Sequence, residues 1–317
     1  MRTCVPFVSL GLLLSVALSV HAQLPDPLVY YPFDSGAGDF TGNGNFGELL
    51  GGAAISAGGT GHTGEAGDGS LDLGAYNNGA YLNIPSAADG ALASIVENDA
   101  ATISFWLFGN DEQPQNNWTF NGQGPTSDRV FGAHVPWSDG TIYYDVAGCC
   151  TATQRISAPA PGPEVYEGEW NHYAFLKDGP LTAIYINGEL FLDSGVNLMD
   201  PLPELTSFTL GSFTGGASSH GGRFDDFALF DVALTPGQIA DIAGGEAIPT
   251  GLTQGDFNDD GGIDADDSQI LAMNLGAHLD GAVSHGEGDF DLNGRVDIFD
   301  FAGFKGAFPG AVAAATG

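Results

Sequence analysis

Between Leu28 and about Leu234 the chain alternates apolar and polar positions in short runs broken by Gly, Asn and Asp. ATISFWLFG (101–109) puts Ile103, Phe105 and Leu107 on one face, as expected of a half-buried strand. WNHYAFLKDG (170–179), FTLGSF (208–213) and GRFDDFALFD (222–231) have the same character. LTAIYINGELFLD (181–193) predicts two strands joined by a tight turn at Asn187-Gly188, because that dipeptide accepts the left-handed backbone of a two-residue hairpin. Many short strands with no helical period between them predict a mainly β, antiparallel sandwich. One helix closes this region. Thr235 is its N-cap, Pro236 its first residue and Gln238 the partner in a capping box, with Gly244-Gly245 as the stop.

Beyond residue 246 the pattern changes. A short linker (246–253) leads to GDFNDDGGIDADD (255–267), and GDFDLNGRVDIFD (288–300) repeats its layout 33 positions later. Within the twelve-residue windows 256–267 and 289–300, oxygen-bearing side chains fall at positions 1, 3, 5, 9 and 12, and Gly occupies position 6. The first set is Asp256, Asn258, Asp260, Asp264 and Asp267; the second is Asp289, Asp291, Asn293, Asp297 and Asp300. The carbonyls of Gly262 and Arg295 complete each set. Calcium takes six to eight hard oxygens, and alternate loop residues can supply them, so the spacing predicts two calcium ions bound as in an EF-hand, with Asp in place of Glu at position 12. Each loop runs into a short helical pattern, 268–277 and 301–308, with Phe301, Phe304 and Phe308 on one face.

Composition changes the picture in three ways. Residues 1–22 carry Arg2 as their one charge, an apolar run over 8–20 and a small-x-small site ending at Ala22, which reads as a secretory signal peptide; a retained anchor is the alternative. The run is short for a membrane span and nothing later replaces it. Removing this leader takes one basic residue and no acidic one, so the net charge of −33 becomes −34. Such a chain repels nucleic acid and anionic lipid and suits a calcium-containing extracellular medium, free or at the cell surface. Only Cys149 and Cys150 then remain, which is no disulfide framework. Oxidation of this adjacent pair to a rigid ring that forms a platform under a ligand, a structural turn lock and two buried thiols all stay open.

YYPFD (30–34), LDLGAYNNGAYLNIP (71–85), ATISFWLF, EWNHYAFLKDG, AIYINGELF and GGRFDDFALFDVALTPGQI resemble, in this order, the strands of laminin-G-like, concanavalin A-type jelly rolls. The likeness implies two stacked antiparallel sheets over residues 23–245. It also implies a structural calcium at Asp34 and Asp225, with a hydrogen bond at a sheet edge as the alternative role for Asp225, which alternation places on the face of Phe227 and Leu229. Residues 254–317 resemble type I dockerin repeats, small α-helical calcium-loop modules of bacteria that plug into cohesins; Ala265-Asp266 and Ile298-Phe299 depart from the small polar residues usual at the contact positions, which leaves another surface protein as partner.

Trp118, Trp137, Tyr144 and Arg155 lie in the polar segments 113–129 and 137–155 and are the candidates for binding a carbohydrate, by ring stacking and hydrogen bonds to hydroxyls. Trp106 and Trp170 fall within strands and are assigned to packing. Glu164, Glu167 and Glu169 are the nearest approach to a hydrolase carboxylate set, and no nucleophile elbow, phosphate loop or His-rich zinc motif is present. The preferred expectation is an exported, non-enzymatic recognition protein whose jelly roll binds carbohydrate or glycoprotein and whose C-terminal module attaches it to a partner. A secreted polysaccharide-degrading enzyme and a ligand-free envelope component are the alternatives.

Overall fold

The computed structural model describes residues 23–34, 36–258, 262–276, 285–291 and 295–315. The leader with its cleavage site, and the two loop ligands Asp260 and Asn293, lie outside the described residues.

Two antiparallel sheets form the sandwich. The eight-stranded sheet runs Glu189–Asp193, Leu181–Ile186, Trp170–Asp178, Ala100–Gly109, Gly222–Phe230, Ser70–Gly74 and Ala54–Ser56, with Val29–Tyr31 also paired to Gly222–Phe230. The seven-stranded sheet runs Arg155–Pro159, Thr141–Val146, Arg129–His134, Phe120–Gln123, Ser207–Leu210, Tyr81–Asn83 and Glu48–Leu50. The Asn187-Gly188 hairpin forms as the sequence predicts, with φ of 51° and 82° at the two turn residues. The helix Pro236–Ala243 carries both bonds of the Thr235/Gln238 capping box. The short helix Ala93–Asn98 has no side-chain cap, so no start signal marks it in the sequence.

The core between the sheets is aromatic. Phe105, fully buried, lies 5.5–6.2 Å from the rings of Phe224, Tyr173, Phe175 and Phe120. A second cluster covers the outer face of the eight-stranded sheet, where Leu24, Ile239, Ile242 and Ile248 pack over Ala174, Leu176, Ala228 and Phe230. Ile248 of the linker is therefore buried against the sandwich.

The chain beyond the linker has its own core of Phe257, Leu271, Phe290, Val296, Phe304, Ala311 and Val312, with Phe301 and Phe308 packed beside it. The aromatic face read from the sequence is the buried one. Its helices, Ala265–Asn274 and Ile298–Ala307, begin three residues earlier than the apolar period suggests, because Asp264 and Asp297 cap them. A further helix, Pro309–Ala315, follows Phe308.

Three imidazoles are buried in the sandwich. Desolvation pushes His134 and His220 down to about 4 and His172 to about 3. The unfolded chain protonates such groups near 6.5 and the folded chain does not, so each contributes stability that is complete above pH 6.5 and falls as the pH drops towards 4. Partly buried carboxylates such as Asp226, pushed up to about 7 by desolvation and the charge of Asp225, act in the opposite sense. The difference between wild type and His220→Gln isolates the imidazole: by urea unfolding, the stability gap at pH 7.5 shrinks by about 2 kcal/mol at pH 5.

Candidate functional site

The outer face of the seven-stranded sheet carries a polar pocket. In the strand Thr141–Val146, Ile142, Tyr144 and Val146 point into the core, so Thr141, Tyr143 and Asp145 point outward. Asp145 is paired with Arg155 across the strand edge, and Gly132 of the next strand lies opposite it. Arg129 and His134 come from the strand Arg129–His134. A cavity of about 300 Å³ is lined by Trp118, Arg129, His134, Trp137, Asp139, Tyr143 and Arg155.

Asp145 organises this pocket. Its carboxylate is fully buried and accepts hydrogen bonds from Arg129 Nη1, Arg155 Nε and, at 2.8 Å, Arg155 Nη2. The Arg129 guanidinium lies 4.5 Å over the Trp118 ring, and that of Arg155 lies 4.5 Å over Tyr143. The Tyr143 hydroxyl donates to Asp139 Oδ2 at 2.8 Å. Slight burial works against the charge of Asp139, but the bonds from Tyr143 and Thr141 outweigh it and hold this carboxyl below its usual range. Trp118 and Trp137 flank the His134 ring at 4.5 and 4.6 Å. His134 Nδ1 donates to the Asn117 carbonyl, which fixes that nitrogen as a donor, while burial pushes the ring down to about 4 and so keeps it neutral at pH 7. Two guanidinium groups, each fixed by an aromatic face and by one carboxylate, thus border a cavity of the size that holds small ligands.

Of the residues singled out in the sequence, Trp118, Trp137 and Arg155 converge here, and Tyr144 does not. Tyr144 is fully buried in the aromatic core and cannot meet a ligand; strand alternation gives the outward position to its neighbour Tyr143. Trp118 is 9% exposed and lies beneath Arg129 as the floor of the pocket, so it supports Arg129 and leaves the half-buried Trp137 as the accessible indole. The sequence pattern does not single out Arg129, Asp139 or Asp145, and it leaves His134 as one of several scattered histidines. The phase shared by Tyr143 and Asp145, and the scarcity of arginine in this chain, were the available signals. Glu164, Glu167 and Glu169 do not line the pocket; Glu164 lies in the short 3₁₀ turn Pro163–Val165. Cys149 and Cys150 form a disulfide in the turn between the two strands that carry Asp145 and Arg155.

A second polar cluster lies on the outer face of the other sheet. The strand Gly222–Phe230 has a bulge between Asp225 and Ala228, with Asp226 in the left-handed region at φ 45°. The extra residue shifts the phase by one, so Asp225 does not share the face of Phe227 and Leu229; it is fully buried opposite Trp106. His62 reaches both aspartates, with Nδ1 3.0 Å from Asp225 Oδ2 and 3.5 Å from Asp226 Oδ2, while its ring stacks on Trp106 at 4.3 Å. Trp106, assigned to packing from the sequence, thus supports the cluster. Asp34 and Asp68 border the same cavity of about 430 Å³, and the nearest donor atoms of His62, Asp68 and Asp225 all lie within 4.8 Å of one another. Burial raises Asp34, Asp225 and Asp226, and the charge of Asp225 adds to the effect on Asp226. Burial works against a proton on His62, yet the hydrogen bond to Asp225 and the charges of Asp226, Asp225 and Asp68 raise it. Four crowded carboxylates and one imidazole are a donor set that fits a divalent cation.

The acidic repeats match bond for bond. Asp267 accepts from Asp264 N with one oxygen and from Phe257 N and Asn258 N with the other. Asp300 accepts in the same way from Asp297 N, Phe290 N and Asp291 N. Position 12 therefore closes each loop and caps the helix that follows. Asp256, Asp267, Asp289 and Asp300 are buried, and donor atoms of Asp289, Asp291 and Asp300 lie within 4.8 Å of one another, which fits an oxygen-bound cation.

Residues 76–240 match the family described as the concanavalin A-like lectin/glucanases superfamily. The chain belongs to this superfamily. Similar solved structures include domain 4 of AbnA, a GH43 extracellular arabinanase from Geobacillus stearothermophilus, in complex with arabinotriose; it is 20% identical, with 69% of this chain and 98% of that chain covered and a TM-score of 0.49. The receptor-binding domain of the botulinum neurotoxin C/D mosaic serotype is 14% identical over 70% of this chain and 51% of that chain, with a TM-score of 0.50. That of serotype G is 14% identical over 69% and 51%, at 0.48. This chain thus spans about half of the toxin domains. The likeness at these identities is one of superfamily fold, and function is read from the residues of the site. No curated protein sequence matches the chain.

Asp145→Asn leaves two guanidinium groups short of their counter-charge. Both keep about a fifth of their side-chain surface exposed (21% and 24%), so the loss is below the ~3–5 kcal/mol of a fully buried pair. Urea unfolding at pH 7 should show about 2–3 kcal/mol, with Asp139→Asn within about 0.5 kcal/mol of wild type.

Proposed function

We propose that this is an exported, calcium-stabilised recognition protein whose sandwich binds carbohydrate, free or on a glycoprotein, through the pocket of Arg129, Trp137, Tyr143 and Arg155. The observation that carries the reading is the pair of arginines held by buried Asp145 against aromatic rings. Preorganised donors beside an accessible indole suit the hydroxyls and apolar face of a sugar ring and lose little entropy on binding. The same geometry favours binding over hydrolysis. Asp145 is locked by both arginines and Asp139 is held below its usual range, so neither suits the protonated general acid that a carboxylate pair must include.

The C-terminal repeats would hold two calcium ions, through Asp256, Asn258, Asp260, Gly262, Asp264 and Asp267, and through Asp289, Asp291, Asn293, Arg295, Asp297 and Asp300. The matched bonding of Asp267 and Asp300 supports this, as does the burial of two carboxylates in each loop. Their likeness to dockerins points to attachment to a protein partner at a cell surface. Exposed Met273, Ile298 and Phe299 would give that contact an apolar character unlike a small polar cohesin-binding face. A third cation, at Asp34, Asp68, Asp225 and Asp226, would tie the first strand to the last long one.

Affinity electrophoresis of the mature chain through gels containing xylan, arabinan, mixed-linkage β-glucan, galactomannan or polygalacturonate tests the carbohydrate reading. At least one polymer should retard the wild type, and Trp137→Ala should weaken that retardation about tenfold or more. Retardation by none of them would leave the envelope reading in its place. Calorimetric titration with calcium should show one C-terminal site fewer in Asp289→Ala than in wild type, and each occupied site should add about 2.7 kcal/mol of stability at a hundred times its dissociation constant. Unchanged calcium uptake in Asp289→Ala and Asp256→Ala would overturn the loop assignment.

A further inference from the structure

The disulfide between Cys149 and Cys150 has no evident place in the stability of the fold. A crosslink stabilises by shortening the loops open to the unfolded chain, and one between adjacent residues closes no loop. Its effect must be local, on the shape of the turn that carries it. That turn is unusual. Ala147, Gly148 and Cys150 have φ of 54°, 135° and 77°, three left-handed residues in four. It is pinned from three sides: Ala147 N donates to the Val130 carbonyl at 2.9 Å, Val146 N to Gln154 O at 2.9 Å, and Gln154 Nε2 to Ala147 O at 3.2 Å. The φ of Gly148 favours glycine, and a side chain there would also displace the Gln154 amide, which comes within 2.5 Å of the Cβ position.

What the turn presents is a cavity. Cys149 borders a space of about 600 Å³ together with Gln123, Gln154, Phe213 and Arg129. Arg129 also borders the aromatic pocket, so the two cavities share one lining residue. Two further links join them. Phe213 packs against Trp118 at 5.3 Å, which continues the aromatic floor, and Arg155 Nη2 reaches both Asp145 at 2.8 Å and Cys149 Sγ at 3.5 Å. The disulfide is thus fixed to the same arginine–carboxylate network that shapes the first pocket.

We propose that the two cavities form one groove for an extended, uncharged polysaccharide, with the Cys149–Cys150 disulfide as a rigid apolar contact surface for sugar units beyond Arg129. This rests on the carbohydrate reading above and specifies its ligand. The absence of charge follows from the groove itself: Arg129 and Arg155 are balanced by Asp145 and Asp139, exposed Asp128 borders the far cavity, and the chain as a whole is strongly acidic. An anionic polymer would meet repulsion at long range and no net positive charge at short range. Arginine, glutamine and carboxylate groups line the two cavities together with Trp137, Phe213 and Cys149 of the disulfide, a mixture that suits the hydroxyl edges and apolar faces of a neutral sugar chain.

The test uses the mature chain with its disulfide intact. The five polymers named above identify a retained polymer, and oligosaccharides of that polymer, from disaccharide to hexasaccharide, are titrated by calorimetry. In wild type, affinity should rise about tenfold or more between disaccharide and tetrasaccharide and change little with added sodium chloride. Two variants act on the far cavity: Cys149→Ser combined with Cys150→Ser, which removes the platform but also the Cys149 contact to Arg155, and Asp128→Trp, which blocks the cavity from an exposed position and keeps both the disulfide and that contact. Both should lose the gain with chain length and keep disaccharide binding, whereas Trp137→Ala should lose both. The Asp128→Trp result stands even if the cysteine variant melts early. Three outcomes overturn the groove and leave the carbohydrate reading intact: no gain with length in wild type, a full gain in Asp128→Trp, or retention by polygalacturonate alone that fades with salt. Retention by no polymer removes both.

Discussion

The period of two along a β-strand governs everything that this protein can display. Each strand of the sandwich commits one face to the aromatic core around Phe105, so chemistry is confined to the residues between. On the seven-stranded sheet the rule is followed without interruption through Ile142, Tyr144 and Val146, and the residues left over, Tyr143 and Asp145, build the pocket. On the eight-stranded sheet the rule is broken beside the second polar cluster, at the bulge after Asp225. That break turns two adjacent aspartates, which a regular strand would send to opposite faces, towards one histidine.

Much of the fold could be read from the sequence because it rests on local rules. The Asn187-Gly188 hairpin and the capped helix after Thr235 need only short-range chemistry, and both stand where the pattern puts them. The pocket was half legible. Trp118, Trp137 and Arg155 lie in segments rich in polar residues, but the choice between Tyr143 and Tyr144 depends on the phase of their strand, and two adjacent tyrosines give no sign of it. Trp118 looked accessible because its neighbours in sequence are polar; its burial comes from Arg129 and Phe213, which are distant along the chain. Asp225 was misplaced for a related reason: a bulge is invisible in an alternating run, and one extra residue reverses every side chain beyond it. In the acidic repeats the spacing carried the regularity that the hydrogen bonds of Asp267 and Asp300 display, while the helix starts were set by caps rather than by apolar period.

Positive charge is so scarce here that its placement is informative. Arg223 lies over Phe108 and near Trp170, and Lys177 is fully buried on Asp99. Arg129 and Arg155 share one carboxylate. These four cations are each engaged with aromatic rings or acids, and the chain is strongly acidic, so the long-range field of the molecule is set mainly by its carboxylates. A surface of this kind excludes anionic partners from a distance and leaves discrimination among neutral ones to short-range fit.

The double duty of Asp267 and Asp300 has a kinetic side. One carboxylate holds the amides that open its loop and the amide at the start of its helix, so loop and first helical turn cannot part company. Each repeat should open to solvent as a single unit, and the amides of Phe257, Asn258 and Asp264 should exchange their hydrogens at one common rate, as should those of Phe290, Asp291 and Asp297. The module would then behave as two small cooperative blocks in series, each gated by one aspartate.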